Sequence, residues 1–363
     1  MKKFSKLLIL FAVIFLFLTA CNASIVTTKN AVGDYDIHTE DQAKALSGNY
    51  NLITVFANGT KEASLPLPVT LDLSDKVPRD VNPPYSVYIS ESEDMKDPLI
   101  FEATEDSISI YNLKIHTNYF YKIAYSGGES GLYAFKVSTS IIRNVYVPGI
   151  TNCRDLGGYM VDGKYTNQGV IYRTSKLNAD TSQVSLLNDA ALAILRDDLK
   201  IKTEIDLRGV NADDPRAGEN GGITSSPIGD GVNYYSIPMT YNGPVMFIQN
   251  NRDGIVEVFR ILGNENNYPL CFHCSIGTDR TGGIAFFINA LLGVSKDNLY
   301  YDYLFSNFGN IGSMRRDTIM DSYIYEMEKY PGSSLSEQTR NFLISIGVDE
   351  NDINTLIRMM KNI

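Results

Sequence analysis

Histidine is scarce in this chain: His38, His116 and His273 are the only three among 363 residues. That argues against a zinc site built from several imidazoles and leaves few candidates for a Ser-His triad. Cysteine is nearly as sparse, with Cys21, Cys153, Cys271 and Cys274. Four cysteines in a chain of this length are not a disulfide framework, and the three after Cys21 cannot all pair with one another. Basic residues are outnumbered, 32 Lys+Arg against 42 Asp+Glu, for a formal charge of −10. An acidic surface is a poor general binder of nucleic acid or anionic membrane, so a phosphorylated ligand has to be captured by a local field. Long apolar runs are also missing, except Leu7–Leu18, which is too short to span a bilayer comfortably.

That run follows Lys2, Lys3 and Lys6, as in a secretory signal. It ends in Leu18-Thr19-Ala20-Cys21, which resembles a bacterial lipobox. The resemblance implies a signal peptide over 1–20, lipidation of Cys21, and a protein anchored at the extracytoplasmic face of a cell membrane. Removing 1–20 takes three lysines and no acids, leaving 29 Lys+Arg against 42 Asp+Glu, a formal −13. Residues 21–48 are polar without sustained period and read as a tether.

The remaining length allows two domains, and 44% hydrophobic with 20% charged residues is an ordinary globular composition. Residues 49–140 read as an all-β sandwich, with strands at 50–57, 69–74, 85–92, 99–103, 107–112, 119–126 and 132–138. Leu113, Thr117 and Tyr119 resemble a fibronectin type III pattern, although Ile115 and His116 replace its usual Pro and Gly. From residue 144 strands alternate with helical periods. Strands are expected at 170–173, 203–207, 233–237 and 270–273. Helices are expected at 183–199, 245–263, 282–292, 296–305, 313–329, 336–346 and 350–360. This predicts an α/β domain over 145–363 with a central, mostly parallel sheet.

The stretch Cys-Phe-His-Cys-Ser-Ile-Gly-Thr-Asp-Arg-Thr, 271–281, lies between an expected strand and an expected helix. Backbone N–H groups at such a helix start, with the helix dipole, suit a phosphate dianion. The cradle would be Ser275, Ile276, Gly277, Thr278, Asp279 and Arg280, with Gly277 free to take positive φ. Arg280 offers a fork matching two phosphate oxygens. The same field stabilises a thiolate at Cys274, a nucleophile toward the bound phosphorus. The Thr281 hydroxyl can assist the sulfur as leaving group, and His273 suits loop positioning better than proton removal.

His-Cys-x2-Gly-x2-Arg-Thr resembles the loop motif of cysteine-dependent tyrosine phosphatases. Asn152, Arg154 and Asp155 in Asn-Cys-Arg-Asp-Leu-Gly-Gly resemble the leading segment of the bacterial tyrosine/lipid phosphatases. Tyr172-Arg173-Thr174-Ser175, Asp206-Leu207-Arg208 and Asp302-Tyr303-Leu304-Phe305-Ser306-Asn307 resemble further family segments, over roughly 150–360. The resemblance implies a cofactor-free phosphatase acting through a cysteinyl-phosphate, on a phosphorylated protein or lipid. Thr278 stands where relatives acting on phosphoinositides often carry Lys, which favours phosphotyrosine. Phosphoinositides, inositol phosphates, and a catalytically weak phosphate-binding protein are the alternatives. Segment 231–252, where many such enzymes carry a mobile Asp, holds no Asp or Glu. The general acid is therefore expected at Asp279 or Asp206, with Asp279 favoured. Cys153 and Cys271 read as packing residues, with a protective disulfide to Cys274 as the sharper alternative.

Overall fold

The computed structural model describes residues 31–209 and 218–361. The signal peptide, Cys21 and the first part of the expected tether lie outside the described residues.

The N-terminal elements are β1 (Ala31–Tyr35), α1 (Glu40–Leu46), α2 (Ile53–Phe56), β2 (Val69–Asp72), β3 (Tyr85–Ser90), β4 (Leu99–Ala103), β5 (Ser107–Ile110), β6 (Thr117–Tyr125), β7 (Gly128–Glu129) and β8 (Tyr133–Val137). One sheet runs β1-β8-β6-β3-β4, with β7 added to β6, and a second pairs β2 with β5. Alternate residues such as Val87 and Ile89 on β3, and Val69 and Leu71 on β2, meet in one apolar core, as period-two side chains require. The Tyr119 hydroxyl accepts the Lys114 N–H at 2.7 Å.

Two expectations fail here. Residues 31–48 are not wholly a tether: β1 pairs in parallel with β8, and α1 starts with a Thr39/Gln42 capping box. Ala45 and Leu46 of α1 are buried in the core of the second unit. Residues 50–57 form no strand. Tyr50–Leu52 is a 3₁₀ turn leading into α2, Tyr50 stacks on Tyr300 at 4.2 Å, and Ile53 is fully buried. Burial of Ile53 against helices overrides the β preference of this stretch, whose Val55 and Phe56 stay exposed.

The second unit contains β9 (Arg154–Asp155), β10 (Met160–Val161), β11 (Lys164–Tyr165), β12 (Ile171–Thr174), α3 (Asp189–Ala193), β13 (Thr203–Asp206), β14 (Asn233–Ser236), α4 (Pro244–Asn250), α5 (Arg252–Leu262), β15 (Leu270–His273), α6 (Asp279–Leu292), α7 (Lys296–Leu304), α8 (Thr318–Met327), α9 (Leu335–Ser345) and α10 (Glu350–Lys361). Its sheet runs β14-β13-β15-β12-β9, parallel except for β9 against β12. Helices cover both faces, as a parallel sheet demands. On β15, Leu270 and Phe272 enter the larger core, which is built around α6, and Cys271 enters the smaller core under α3. From Thr281 to Leu292 every residue of α6 is buried, which explains its all-round apolar sequence.

Helix expectations need three adjustments, one being that the helix expected over 313–329 begins only at Thr318. Only 189–193 of 183–199 is α-helical, extended by one wider turn over Ile194–Asp198. The period over 245–263 belongs to two helices that meet at Asn251, whose side chain bonds the Thr240 N–H and carbonyl. Among the described residues no helix is long and apolar enough to cross a membrane.

Candidate active site

Thr174 and Asp206 both align with His273 at the ends of their strands. Loops beyond these carboxyl ends enclose a cleft, where open α/β sheets collect function. The cleft holds about 540 Å3 and is lined by Gly209, Glu219, Met239–Tyr241, Cys274–Ile276, Asp279 and Arg280.

The loop from Cys274 to Thr278 is held from outside by its carbonyls. Ser275 O accepts the Lys176 N–H at 3.2 Å. Asn152 Nδ2 donates to Ile276 O at 3.0 Å and Gly277 O at 3.1 Å, and Arg173 Nη2 donates to Gly277 O at 2.8 Å. In a trans peptide the next N–H points opposite to the carbonyl. Pulling these three carbonyls outward therefore turns the N–H groups of Ile276, Gly277 and Thr278 toward the cleft, an anion-binding nest. Gly277 takes φ +68°, and a Cβ there would meet Thr174 O at 2.4 Å. Positive φ and close approach both require glycine.

Cys274 is buried at the base of the cleft. Burial alone would push its thiol up, but the Arg280 guanidinium and the Thr281 hydroxyl and N–H outweigh this, so it sits below its ordinary value, with Asp279 opposing. Such a thiol favours the nucleophilic thiolate. Arg280 Nη1 and Nη2 each donate to Glu219 at 2.6 Å, and Glu219 also accepts from Ser275 Oγ at 2.6 Å and the Gly209 N–H at 2.9 Å. Partial burial would raise the Glu219 carboxyl, yet these donors pull it down to about 2.

The two candidate acids are placed differently. Asp279 lines the cleft, with Arg315 Nε and Nη2 donating to its two oxygens at 2.8 Å each and Tyr303 OH at 3.3 Å. Asp206 is fully buried and does not line the cleft. Burial raises its carboxyl, but His273 and Arg208 more than reverse this. Its Oδ2 takes Arg208 Nη2 at 2.7 Å and the Tyr234 hydroxyl at 3.1 Å. Asp206 is thus sealed away from the cleft that Asp279 lines, and its expected place as proton donor is corrected on that ground.

His273 Nε2 lies 2.9 Å from Glu204 and Nδ1 3.3 Å from Cys274 O. Burial lowers its pKa, while Asp206 and Glu204 raise it above the ordinary value. Both ring nitrogens face oxygens, of Glu204 and of the Cys274 carbonyl, so neither is aimed at the thiol and the contact to the loop is positional. Glu204, Asp206 and His273 stand close enough to hold a metal ion, but Arg208, Ser226 and the imidazole already engage their oxygens. Arg154 connects Asn152 Oδ1, at 2.5 Å, to Asp302 at 2.9 Å. Asp302 also pairs with Arg173 at 2.5 Å. Asp155 is farther out, holding Arg143 at 2.7 Å and two N–H groups. Cys153, Cys271 and Cys274 are free thiols. The first two lie in the smaller core, across the sheet from Cys274.

Sequence reasoning missed Glu219, Arg315 and the pairing of Arg173 with Asp302. Glu219 comes from a loop with no local pattern, and Arg315 lies in 313–317, which the sequence period assigned to a helix but which precedes α8. Arg173 and Asp302 lie in segments that were visible, but their pairing spans 129 residues.

The family model described as tyrosine phosphatase family matches residues 145–361. That is more than half the chain, and the protein belongs to this family. Among solved structures it is similar to TpbA of P. aeruginosa, at 18% identity over 57% of this chain and 96% of that one, with a TM-score of 0.33. A Cys-to-Ser TpbA variant in complex with pTyr matches at 19% identity over 51% and 90%, with a TM-score of 0.30. The core catalytic domain of the PP-IP phosphatase SIW14 from S. cerevisiae, in complex with citrate, matches at 19% over 45% and 88%, with a TM-score of 0.28. No curated protein matches.

Proposed function

We propose that this phosphatase hydrolyses phosphotyrosine through a cysteinyl-phosphate on Cys274. The carrying observation is the Cys274 thiol, held below its ordinary value by Arg280 and Thr281 at the foot of an inward-facing N–H nest. The thiolate attacks phosphorus and the ester P–O bond breaks. Asp279 protonates the departing phenolate. Water then attacks phosphorus, the P–S bond breaks with help from Thr281, and Asp279 takes the water proton. Arg280 and the nest hold the phosphoryl oxygens throughout.

The substrate preference rests on the cleft. Among the described residues lining it Arg280 is the one cation, with Met239 and Tyr241 beside it, and the nearby Arg315 is spent on Asp279. A single phosphate on a flat apolar group suits this lining better than a multiply phosphorylated inositol. The N-terminal sheets, with Tyr119 bonded back to Lys114, support a fibronectin type III-like unit, and Leu18–Cys21 supports a lipid anchor outside the cytoplasm. The test is a panel of phosphotyrosine peptide, phosphoserine peptide and phosphoinositides. Turnover should be highest on phosphotyrosine and lost in Cys274→Ser. Turnover that survives this substitution refutes the mechanism, and phosphoinositide turnover above phosphotyrosine refutes the preference.

A further inference from the structure

The family match begins at residue 145, yet two supports of the active site come from residues 57–64. The first runs through Ser64, which is buried. Its Oγ accepts the Asn152 N–H at 3.1 Å and donates to Glu62 at 2.5 Å. Asn152 has φ +53°, a left-handed conformation that Asn adopts more readily than most L-residues but that its surroundings still select. Held there, its side chain takes the Ile276 and Gly277 carbonyls and Thr278 Oγ1.

The second support runs through Gly59. Its N–H donates to Asn307 O at 2.8 Å, and its carbonyl accepts the Ile311 and Gly312 N–H groups at 2.9 Å each. Ala63 N–H donates to Phe308 O at 2.6 Å, and Glu62 accepts the Asn310 N–H at 3.2 Å. The segment so fixed ends at Arg315, whose backbone N–H and carbonyl are both bonded by the Asn307 side chain. Arg315 in turn holds Asp279. Gly59 has φ +77°, and a Cβ there would meet Ser313 O at 2.7 Å, so this close crossing needs glycine.

We infer that residues 57–64 are a strap that positions the catalytic loop, setting the nest through Ser64 and Asn152 and setting Asp279 through segment 307–315. The segment before the matched region then belongs to the catalytic unit. Ser64 is a positioning residue that touches no substrate.

This rests on the proposed role of Cys274, so the test needs a readout that does not depend on turnover. Ser64→Ala, Asn152→Ala and the double variant are compared in the full chain. One measurement is kcat/KM on an aryl phosphate. The other is the pH dependence of Cys274 alkylation by iodoacetamide, followed by intact mass. Ser64→Ala should lower kcat/KM roughly tenfold, inside the hundredfold that a displacement of about 1 Å costs. It should also move the alkylation midpoint to higher pH, since a loosened loop stabilises the thiolate less. In the Asn152→Ala background it should add little, because the clamp it sets is gone. An unchanged alkylation profile in Ser64→Ala, or a full additional loss in the double variant, overturns the inference. Should the wild type hydrolyse nothing while the alkylation shifts follow this pattern, the strap stands and the phosphatase mechanism falls.

Discussion

Replacing Glu219 by Gln separates two jobs that one carboxylate could do at Arg280. A guanidinium has two edges, each able to grip two oxygens. Glu219 takes the Nη1/Nη2 edge with both oxygens at 2.6 Å. The Nε–H and the other Nη2–H then remain for phosphate, and the carboxylate aligns the arginine without occupying its working edge. The pull on Glu219, from 4.5 to about 2, corresponds to roughly 3 kcal/mol at face value. The side chain is 35% exposed, and screening at that exposure leaves about 1–2 kcal/mol. With Arg280 no longer aligned, Glu219→Gln should lose roughly tenfold in kcat/KM on phosphotyrosine, inside the hundredfold that a misplacement of about 1 Å costs, seen as a higher KM together with a lower kcat. A variant with lower KM and higher kcat/KM would refute the alignment argument, because the carboxylate would then be competing with phosphate. The same pair has a pH signature. The folded value lies below the unfolded one, so the unfolded chain binds more protons between the two. The stabilisation is present above about pH 4.5 and is lost as pH falls toward 2. The Tm gap between wild type and Glu219→Gln should be open at pH 6 and narrow toward pH 3, within a range where both still unfold cooperatively.

Gly277→Ala should cost about 2 kcal/mol or more, since φ +68° and the 2.4 Å approach to Thr174 O leave no room. A denaturation midpoint equal to wild type would contradict the close approach. Asp279→Asn should slow phenyl phosphate or phosphotyrosine about a hundredfold, while barely slowing an ester whose phenolate leaves without a proton. An equal loss on both esters would remove Asp279 as the acid.

Much of the chemistry was legible because a strand, a nest and a helix start are contiguous. The run from Leu270 to Leu292 carries the proposed nucleophile Cys274, the proposed phosphate fork Arg280 and a glycine that only positive φ explains, and β15 and α6 bracket it as expected. The capping box at Thr39 and Gln42 was equally local and announces α1, although polar residues around it suggested a tether. Which charge meets which was not local. Asp206 and Asp279 are both aspartates near an arginine in sequence. One finds Arg208 two residues away and is sealed off, and the other finds Arg315, thirty-six residues on, at the rim of the cleft. That difference decides which one can face a leaving group. It is made by segment 307–315 folding back under Gly59, a contact between loops about 250 residues apart. Short-range patterns follow backbone geometry, so motifs and periods reveal elements. Electrostatic roles follow three-dimensional pairing, so a carboxylate becomes an acid, an aligner or a buried counter-ion only once the loops that flank the sheet have closed on one another.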